Sequence, residues 1–315
     1  MYYTKLNNGV QMPCIGLGTW NSEPGQVGAA VKVALNAGYR LLDCALCYEN
    51  QPEVGEALKS VFSEGKIQRK DVFITTKIWN TYHSYERAKK SIDDMLKEMQ
   101  LDYFDLVLIH WPQGYREGGE MFPGAPDGVH MLMSDVDYLE TWKAMEEAYE
   151  AKKIRAIGVS NFNHNQIQRI INNSKVKPAV LQVEIHPYFQ QRKLRAFCKE
   201  KGIAVTAYSS LGNPGMPCFR KKEDPNILED PVLKKIGAAH SKTSAQVALR
   251  WALQNNINII PKSVTEKRIL ENFNIFDFNL TVHEMKEMDR LDRNWRIVSV
   301  TRDSSHEHFP FNDEF

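Results

Sequence analysis

Residues 72–110 read VFITTKIWNTYHSYERAKKSIDDMLKEMQLDYFDLVLIH. The stretch opens on a β-branched and aromatic run, VFITTKI (72–78), and closes on a second, YFDLVLIH (103–110). Between them Ala88, Ile92, Met95 and Met99 recur at the spacing of one helix face. Strand, helix and strand in succession form the unit of a parallel sheet, because parallel neighbours need a crossover connection.

The same alternation continues on both sides. Further strand-like runs are CIGLG (14–18), RLLDC (40–44), IRAIGVS (154–160), AVLQVEI (179–185), IAVTAYS (203–209) and INIIPKS (257–263). Helical spacing recurs at Val27, Ala30, Val31 and Ala34, and at Tyr138, Trp142, Met145 and Tyr149. No Pro/Gly/Ser-rich linker or change in composition interrupts the series. The pattern predicts one domain, residues 1–315, folded as an α/β (β/α)8 TIM barrel rather than as two doubly wound halves. The Asn8-Gly9 pair in YYTKLNNGVQMP predicts an N-terminal β-hairpin acting as a small lid. Long connections at 111–135 and 210–230 follow strands, so they belong on the C-terminal face, where barrels of this kind hold their sites.

Composition narrows the partner. The chain has 315 residues, 43% of them hydrophobic, with 40 basic against 39 acidic side chains and a net charge of +1. No basic run suits nucleic acid or an anionic membrane, and no long apolar stretch suits a span, so a small molecule is expected as partner. The lack of an export-type start and the five scattered cysteines predict reduced thiols and a cytoplasmic location.

Polar groups at the strand ends are the exceptions that carry chemistry, because interior barrel positions should be apolar. They are Asp43 with Tyr48 nearby, Lys77, His110, Ser160 and Asn161, Gln182 and Glu184, Tyr208, and Lys262 with Ser263. A phenol is a poor acid at neutral pH; an adjacent ammonium, Lys77, is expected to lower its pKa, and Asp43 to hold that ammonium in place. A neutral His110 would hydrogen-bond a substrate oxygen. Protonating an oxygen makes sense if a hydride reaches the carbon, and no side chain is a reductant, so a hydride cofactor is implied.

GLGTW (16–20) is only a fragment of the dinucleotide fingerprint, which argues against a Rossmann domain. INIIPKSVTEKRILEN (257–272) instead predicts a phosphate site: a strand, Lys262 and Ser263, a capping box from Ser263 to Glu266, and a helix carrying Arg268. The C-x-x-C of LLDCALCYEN (41–50) has no second pair to complete a zinc site, and His306-x-His308 has no supporting ligands, so no metal is expected. Cys47, beside Tyr48, is expected to be oxidant-sensitive.

These segments resemble the aldo-keto reductase family, and the resemblance runs from GLGTW to the C-terminal NWR and HFPF. LLDCALCYEN is similar to the family's Asp and Tyr segment, FITTKIW to its Lys segment and LVLIHWP to its His segment; IGVSNF, LQVEIHPY and IIPKSVTEKRILEN are similar to its cofactor-binding segments. The likeness is greatest to aldose and aldehyde reductases. It implies a monomer that reduces aldehydes and ketones with NADPH, held extended and without a Rossmann domain. Tyr48 would donate the proton, Lys77 and Asp43 would tune it, and His110 would orient the carbonyl. Tyr208 would stack on the nicotinamide; Ser160, Asn161 and Gln182 would bind its carboxamide, with Ser209 and Leu211 also in the cofactor set. Lys262, Ser263 and Arg268 would take the 2′-phosphate, and Glu271 and Asn272 would lie near the adenine. Trp20, Trp79, Trp111, Phe122 and Trp295 would line an apolar substrate pocket. Val298 stands where many aldose reductases have Cys. The family also contains cofactor-binding regulatory and structural proteins, which leaves an alternative of little turnover.

Overall fold

The computed structural model describes residues 2–214 and 219–315. The chain begins with an antiparallel pair, β1 (Tyr3–Lys5) and β2 (Gln11–Pro13), joined by a turn in which Gly9 has φ of 88°. The main sheet contains β3 (Leu17–Gly18), β4 (Leu41–Asp43), β5 (Phe73–Ile78) and β6 (Leu106–Ile109). After a small antiparallel ladder of β7 (Gly114–Tyr115) and β8 (Met133–Ser134), it continues with β9 (Ile157–Ser160), β10 (Val180–Glu184), β11 (Ala204–Tyr208) and β12 (Ile257–Ile259). The eight sheet strands are parallel and adjacent in chain order.

The sheet also closes on itself. Gly16 N–H donates to Ile259 O at 2.9 Å, Ile259 N–H donates to Cys14 O at 2.9 Å, and Gly18 pairs in parallel with Lys262. Glycine is needed at this seam, because a Cβ on Gly18 would lie 2.7 Å from Ile260 O. Closure removes the exposed sheet edges, and the whole arrangement fits a (β/α)8 barrel.

Helices α1 (Val27–Ala37), α2 (Gln51–Ser63), α3 (Tyr85–Glu98), α4 (Tyr138–Glu150), α5 (His164–Asn173), α6 (Arg192–Lys201), α7 (Pro231–His240), α8 (Ser244–Gln254) and α9 (Glu266–Phe273) occupy the connections, and α10 (Val282–Asp289) follows. The α3 face that buries Ala88, Ile92 and Met95 is the one given by its spacing, and Met99 falls just past the helix end. All eight predicted strands are present, each shorter than its apolar run. The β7–β8 ladder, inside what reads as a loop, is a departure; two residues per strand are too few for an alternation to register in sequence.

Period-two alternation separates the two sides of each strand. In β5, Ile74 and Ile78 join the large core between sheet and helices, whereas Phe73 joins Leu41, Leu106, Leu108 and Val180 in a second core inside the barrel. The interior series therefore runs upward through Thr75 and Lys77 on β5, from Leu41 to Asp43 on β4, and from Val180 to Gln182 on β10. Apolar layers fill the lower barrel and a polar layer crowns it. The hairpin lies at the opposite end: Thr4 Oγ1 donates to Asn258 Oδ1 at 2.6 Å, and Leu6 and Met12 pack into the interior core. It seals the barrel floor.

On β9, Gly158 leaves no room for a side chain, since a Cβ would lie 2.4 Å from Val180 O. Gly158→Ala is expected to destabilise the fold by about 2 kcal/mol or more through overpacking. Thermal unfolding followed by circular dichroism should then give a Tm lower by roughly 4 °C or more; an unchanged Tm would contradict this account of the sheet.

Candidate active site

The strands deliver their polar residues to one place. Lys77, with no exposed surface, donates to Asp43 Oδ2 at 2.7 Å, to Cys44 O at 2.9 Å and to Tyr48 Oη at 3.3 Å. Asp43 Oδ1 accepts from Gln182 Nε2 at 2.8 Å. A charge removed from water is tolerated only when paired and hydrogen-bonded, and both ions meet that condition. Tyr48 reaches the cluster because the chain leaves β4 and makes a tight 3-10 turn over Leu46–Tyr48, closed by Glu49 at φ of 52°.

His110 follows β6 directly, and its N–H continues the ladder to Ile78 O at 3.1 Å. Its ring stands edge-on to Tyr48 at 5.9 Å and to Trp79 at 5.1 Å between centroids. Burial and the Lys77 charge hold the imidazole well below its ordinary pKa, so it is neutral. Burial, followed by the Asp43 carboxylate, pushes the Tyr48 phenol well above its ordinary value. The net direction is opposite to the one expected from Lys77 alone: the ammonium lies 3.3 Å from the phenol oxygen, but burial outweighs it. Tyr48 is a reluctant acid that keeps its proton throughout the neutral range.

Cys44 and Cys47 do not form a paired site. Burial pushes both thiols up, Cys44 to about 12, so neither is a thiolate at neutral pH. That removes the basis for expecting an oxidant-sensitive Cys47. The described residues contain no group of three His, Cys, Asp or Glu that could hold a metal ion. Cys218 lies outside the described residues.

Around the mouth, Asn161 adopts φ of 62°, which turns its amide back on its neighbours. Its Nδ2 donates to His110 O at 3.0 Å and to Ser160 Oγ at 3.2 Å, while Tyr208 Oη donates to its Oδ1 at 2.7 Å. Asn161 thus ties three strands together. Beyond β11 the chain turns at Ser209, φ 52°, and Leu211 packs partly buried on the outer core.

At the barrel seam, Lys262 Nζ donates to Asn21 O at 2.8 Å and forms no salt bridge among the described residues, though the Glu23 charge acts on it. Ser263 does not form the predicted capping box. Its Oγ accepts from Thr265 N at 3.0 Å, while Thr265 is the N-cap of α9 and makes no side-chain cap bond. A turn one residue shorter than a capping box satisfies Ser263 locally and leaves the first N–H groups of α9 without a side-chain acceptor. Arg268 is exposed and makes no ion pair among the described residues. Glu271 accepts from Thr243 Oγ1 at 2.8 Å, and Asn272 is buried.

The aromatic residues gather above this layer. Trp79, Trp111 and Tyr115 pack with Ile297 and Val298, and Trp295 lies against the same cluster. Phe122 tilts onto Trp79 at 5.1 Å and is 42% exposed, while Trp20 meets Phe219 at 5.7 Å.

The comparisons with known proteins fall on this geometry. A family model described as "Aldo/keto reductase family" matches residues 14–293. The chain belongs to the aldo/keto reductase family. Aldo-keto reductase family 1 member A1 of Gallus gallus is 45% identical over 99% of this chain and 98% of the relative; its Homo sapiens counterpart is 44% identical over 98% of each. The aldose reductase of Schistosoma japonicum has a solved structure with a TM-score of 0.94 and 44% identity, covering 100% of both chains. The chain is an oxidoreductase of the aldose and aldehyde reductase kind.

What sequence reasoning missed is the anchorage of the reductase's C-terminal tail. Glu184, at the end of β10, is fully buried; it accepts from Ile297 N at 2.7 Å and Val298 N at 2.8 Å, and lies 2.9 Å from His186 Nε2. One carboxylate thereby fixes a wall of the aromatic pocket. A second carboxylate, Asp303, is also buried and accepts from Gln113 Nε2 at 3.0 Å and Tyr115 Oη at 2.5 Å. A polar residue at a strand end was the available signal for Glu184; its partners are backbone amides, which no residue type announces.

Glu184→Gln leaves one tail amide facing a side-chain NH2 group. The loss of that acceptor is expected to destabilise the tail by about 1–3 kcal/mol. Hydrogen exchange at Ile297 and Val298 should accelerate roughly ten-fold or more if that energy is lost locally, and unchanged protection would show that Glu184 is not the anchor.

Proposed function

We propose that this reductase converts aldehydes and ketones to alcohols using NADPH, with Tyr48 as the proton donor. The observation that carries the reading is the buried Asp43–Lys77–Tyr48 series beside a neutral His110. When bound, NADPH supplies the hydride for the carbonyl carbon.

The residues present suit that group. Lys262 and Arg268 are cations without a carboxylate partner among the described residues, next to a helix start with no side-chain cap. Two cations, the Ser263 hydroxyl and free backbone N–H groups match the 2′-phosphate that distinguishes NADPH from NADH. Glu271 and Asn272 follow on the same helix, toward the adenine. At the other end, Gln182 gives its Nε2 to Asp43 and keeps Oε1 for a carboxamide N–H, with Ser160 and Asn161 beside it. The Tyr208 hydroxyl is held by Asn161, which presents the ring for stacking on the nicotinamide. Ser209 and Leu211 continue that side of the groove.

On the substrate side, neutral His110 donates one hydrogen bond to the carbonyl oxygen. Tyr48 then gives its proton to the oxygen as negative charge develops there, because an alkoxide is a far stronger base than a phenolate. Lys77 stabilises the resulting phenolate, and Asp43 holds Lys77. Trp20, Trp79, Trp111, Phe122 and Trp295 offer an apolar wall, which suits aldehydes with hydrophobic bodies at least as well as sugars. We read the chain as one domain and as a monomer of the cytoplasm. The unpaired cysteines are in keeping with a reducing compartment, and no helix among the described residues is long and apolar enough to cross a membrane.

Tyr48→Phe is expected to abolish oxidation of NADPH by an aromatic aldehyde, at least 100-fold by the usual weight of a positioned acid, while NADPH still binds. Absorbance and fluorescence titration give the two readings. Retained turnover would remove Tyr48 from its role, and tight NADPH binding by a wild-type protein inert to every aldehyde would favour a regulatory protein of the same fold.

The two perturbed groups also predict a pH profile. His110, held below 6.5, takes up no proton above that value, and Tyr48, held above 10.0, loses none below it. With saturating NADPH, kcat/KM should be level between these limits. An ionisation near neutrality would assign the rate to another group.

A further inference from the structure

Cys47 and Tyr48 are neighbours on the Leu46–Tyr48 turn, and Cys47 Sγ lies 3.5 Å from Nδ1 of His110. Among the described residues no other polar atom bonds the His110 ring, and its Nε2 has no protein partner. The rest of the residue is already fixed. Asn161 grips its backbone carbonyl at 3.0 Å, and Tyr48 and Trp79 set its ring plane by edge-on contacts.

We propose that Cys47 is a positioning residue: its thiol donates to Nδ1 and fixes His110 as the Nε2–H tautomer, so that the imidazole presents a donor to the carbonyl oxygen. The inference rests on the reading in which His110 orients the substrate.

A neutral imidazole carries one proton, and the partner of one nitrogen decides which nitrogen holds it. Two pairings fit a sulfur beside Nδ1. In one, S–H donates to the imine nitrogen; in the other, Nδ1–H donates to sulfur. An imidazole nitrogen is a much better acceptor than a thiol sulfur, and burial keeps the Cys47 thiol protonated, so the first pairing prevails. The proton then sits on Nε2, the nitrogen that protein atoms leave free. The opposite tautomer would turn a lone pair toward the lone pairs of a carbonyl oxygen, and a tautomer error of this sort is costly in other imidazole-dependent enzymes.

Nitrogen-15 NMR of the full-length protein, labelled at histidine and saturated with NADP+, reads the tautomer directly. Loss of a signal pair in His110→Gln assigns the resonance. Wild type should give an imine-type Nδ1 and a protonated Nε2. Cys47→Ala should move both shifts toward a mixture, with kcat/KM for an aromatic aldehyde reduced roughly five-fold, the value of one modest hydrogen bond, and NADPH affinity unchanged. Cys47→Ser restores a donor and should return the shifts toward wild type. A wild-type protein with its proton on Nδ1, or an alanine variant with wild-type shifts, overturns the assignment. Once His110→Gln has assigned the resonance, the wild-type spectrum requires no cysteine variant to fold. It also reports the tautomer whether or not the protein turns over an aldehyde, so failure of this lock and failure of the reductase reading are separately visible.

Discussion

A lysine ammonium with no exposed surface, placed at the top of a barrel interior, is the constraint that orders everything around it. Lys77 sits in the interior series of β5 because Phe73 does, and no rotation of the strand could expose it without turning Phe73 out as well. An ion in that position must be paired. Asp43 supplies the partner from β4, and its second oxygen then requires a donor, which Gln182 supplies from β10. Three strands are thereby held in register by one polar layer above a conventional apolar filling. Breaking any member leaves an uncompensated buried group, so the layer is a condition of the fold as well as of the chemistry.

Much of this is legible in the sequence. The eight parallel strands are buried on both faces, so they appear as continuous apolar runs, and a polar residue at the end of such a run stands out against them. Asp43, Lys77, His110, Gln182 and Tyr208 were visible for that reason, and Tyr48 because it follows Asp43 at short range. The structure brings all of them to the same mouth. Where sequence reasoning failed, the partner was either backbone or too short a segment to show a period. Ser263 and Glu266 have capping-box spacing, yet the helix starts two positions later than the pattern requires, with Thr265 as the N-cap. The β7–β8 ladder has no periodicity to read. The electrostatics of Tyr48 were legible only in part: the charges were identified, but the balance between the Lys77 ammonium and the desolvation of a phenol depends on burial, which residue types alone do not supply.

The tail illustrates how far a single buried carboxylate can act. Trp295, Ile297, Val298 and Asp303 belong to a segment whose regular structure is limited to short 3-10 turns, one of them at Thr301–Asp303. Segments of that kind are ordinarily the least stable part of a fold. Here Glu184 binds two consecutive amides from inside the barrel rim, and Asp303 returns a carboxylate to Gln113 and Tyr115 on the facing loop. The contacts are reciprocal. The barrel anchors the tail, and the tail in turn fixes the loop that follows β6. The pocket wall is therefore built from two irregular segments, the tail ordered by Glu184 of β10 and the loop after β6 by Asp303 of the tail.

The raised phenol and the lowered imidazole share their leading cause, the exclusion of water from the mouth, and in the reaction proposed for this site that would set the character of the proton transfer. An acid whose pKa is far above neutrality does not protonate a resting carbonyl oxygen, which is a weak base. It becomes competent only when the oxygen acquires negative charge, that is, once the carbon is being reduced. In the proposed reaction the proton and the hydride would be coupled by this mismatch. A more acidic Tyr48 would be easier to ionise at rest, and the resulting phenolate would have no proton to give. The same burial keeps His110 from becoming a competing acid: a neutral imidazole can hold the oxygen by a hydrogen bond but surrenders no proton to it readily. In the proposed reaction the two groups would therefore take distinct roles at one oxygen, one holding and one donating, through their environment more than their intrinsic acidity.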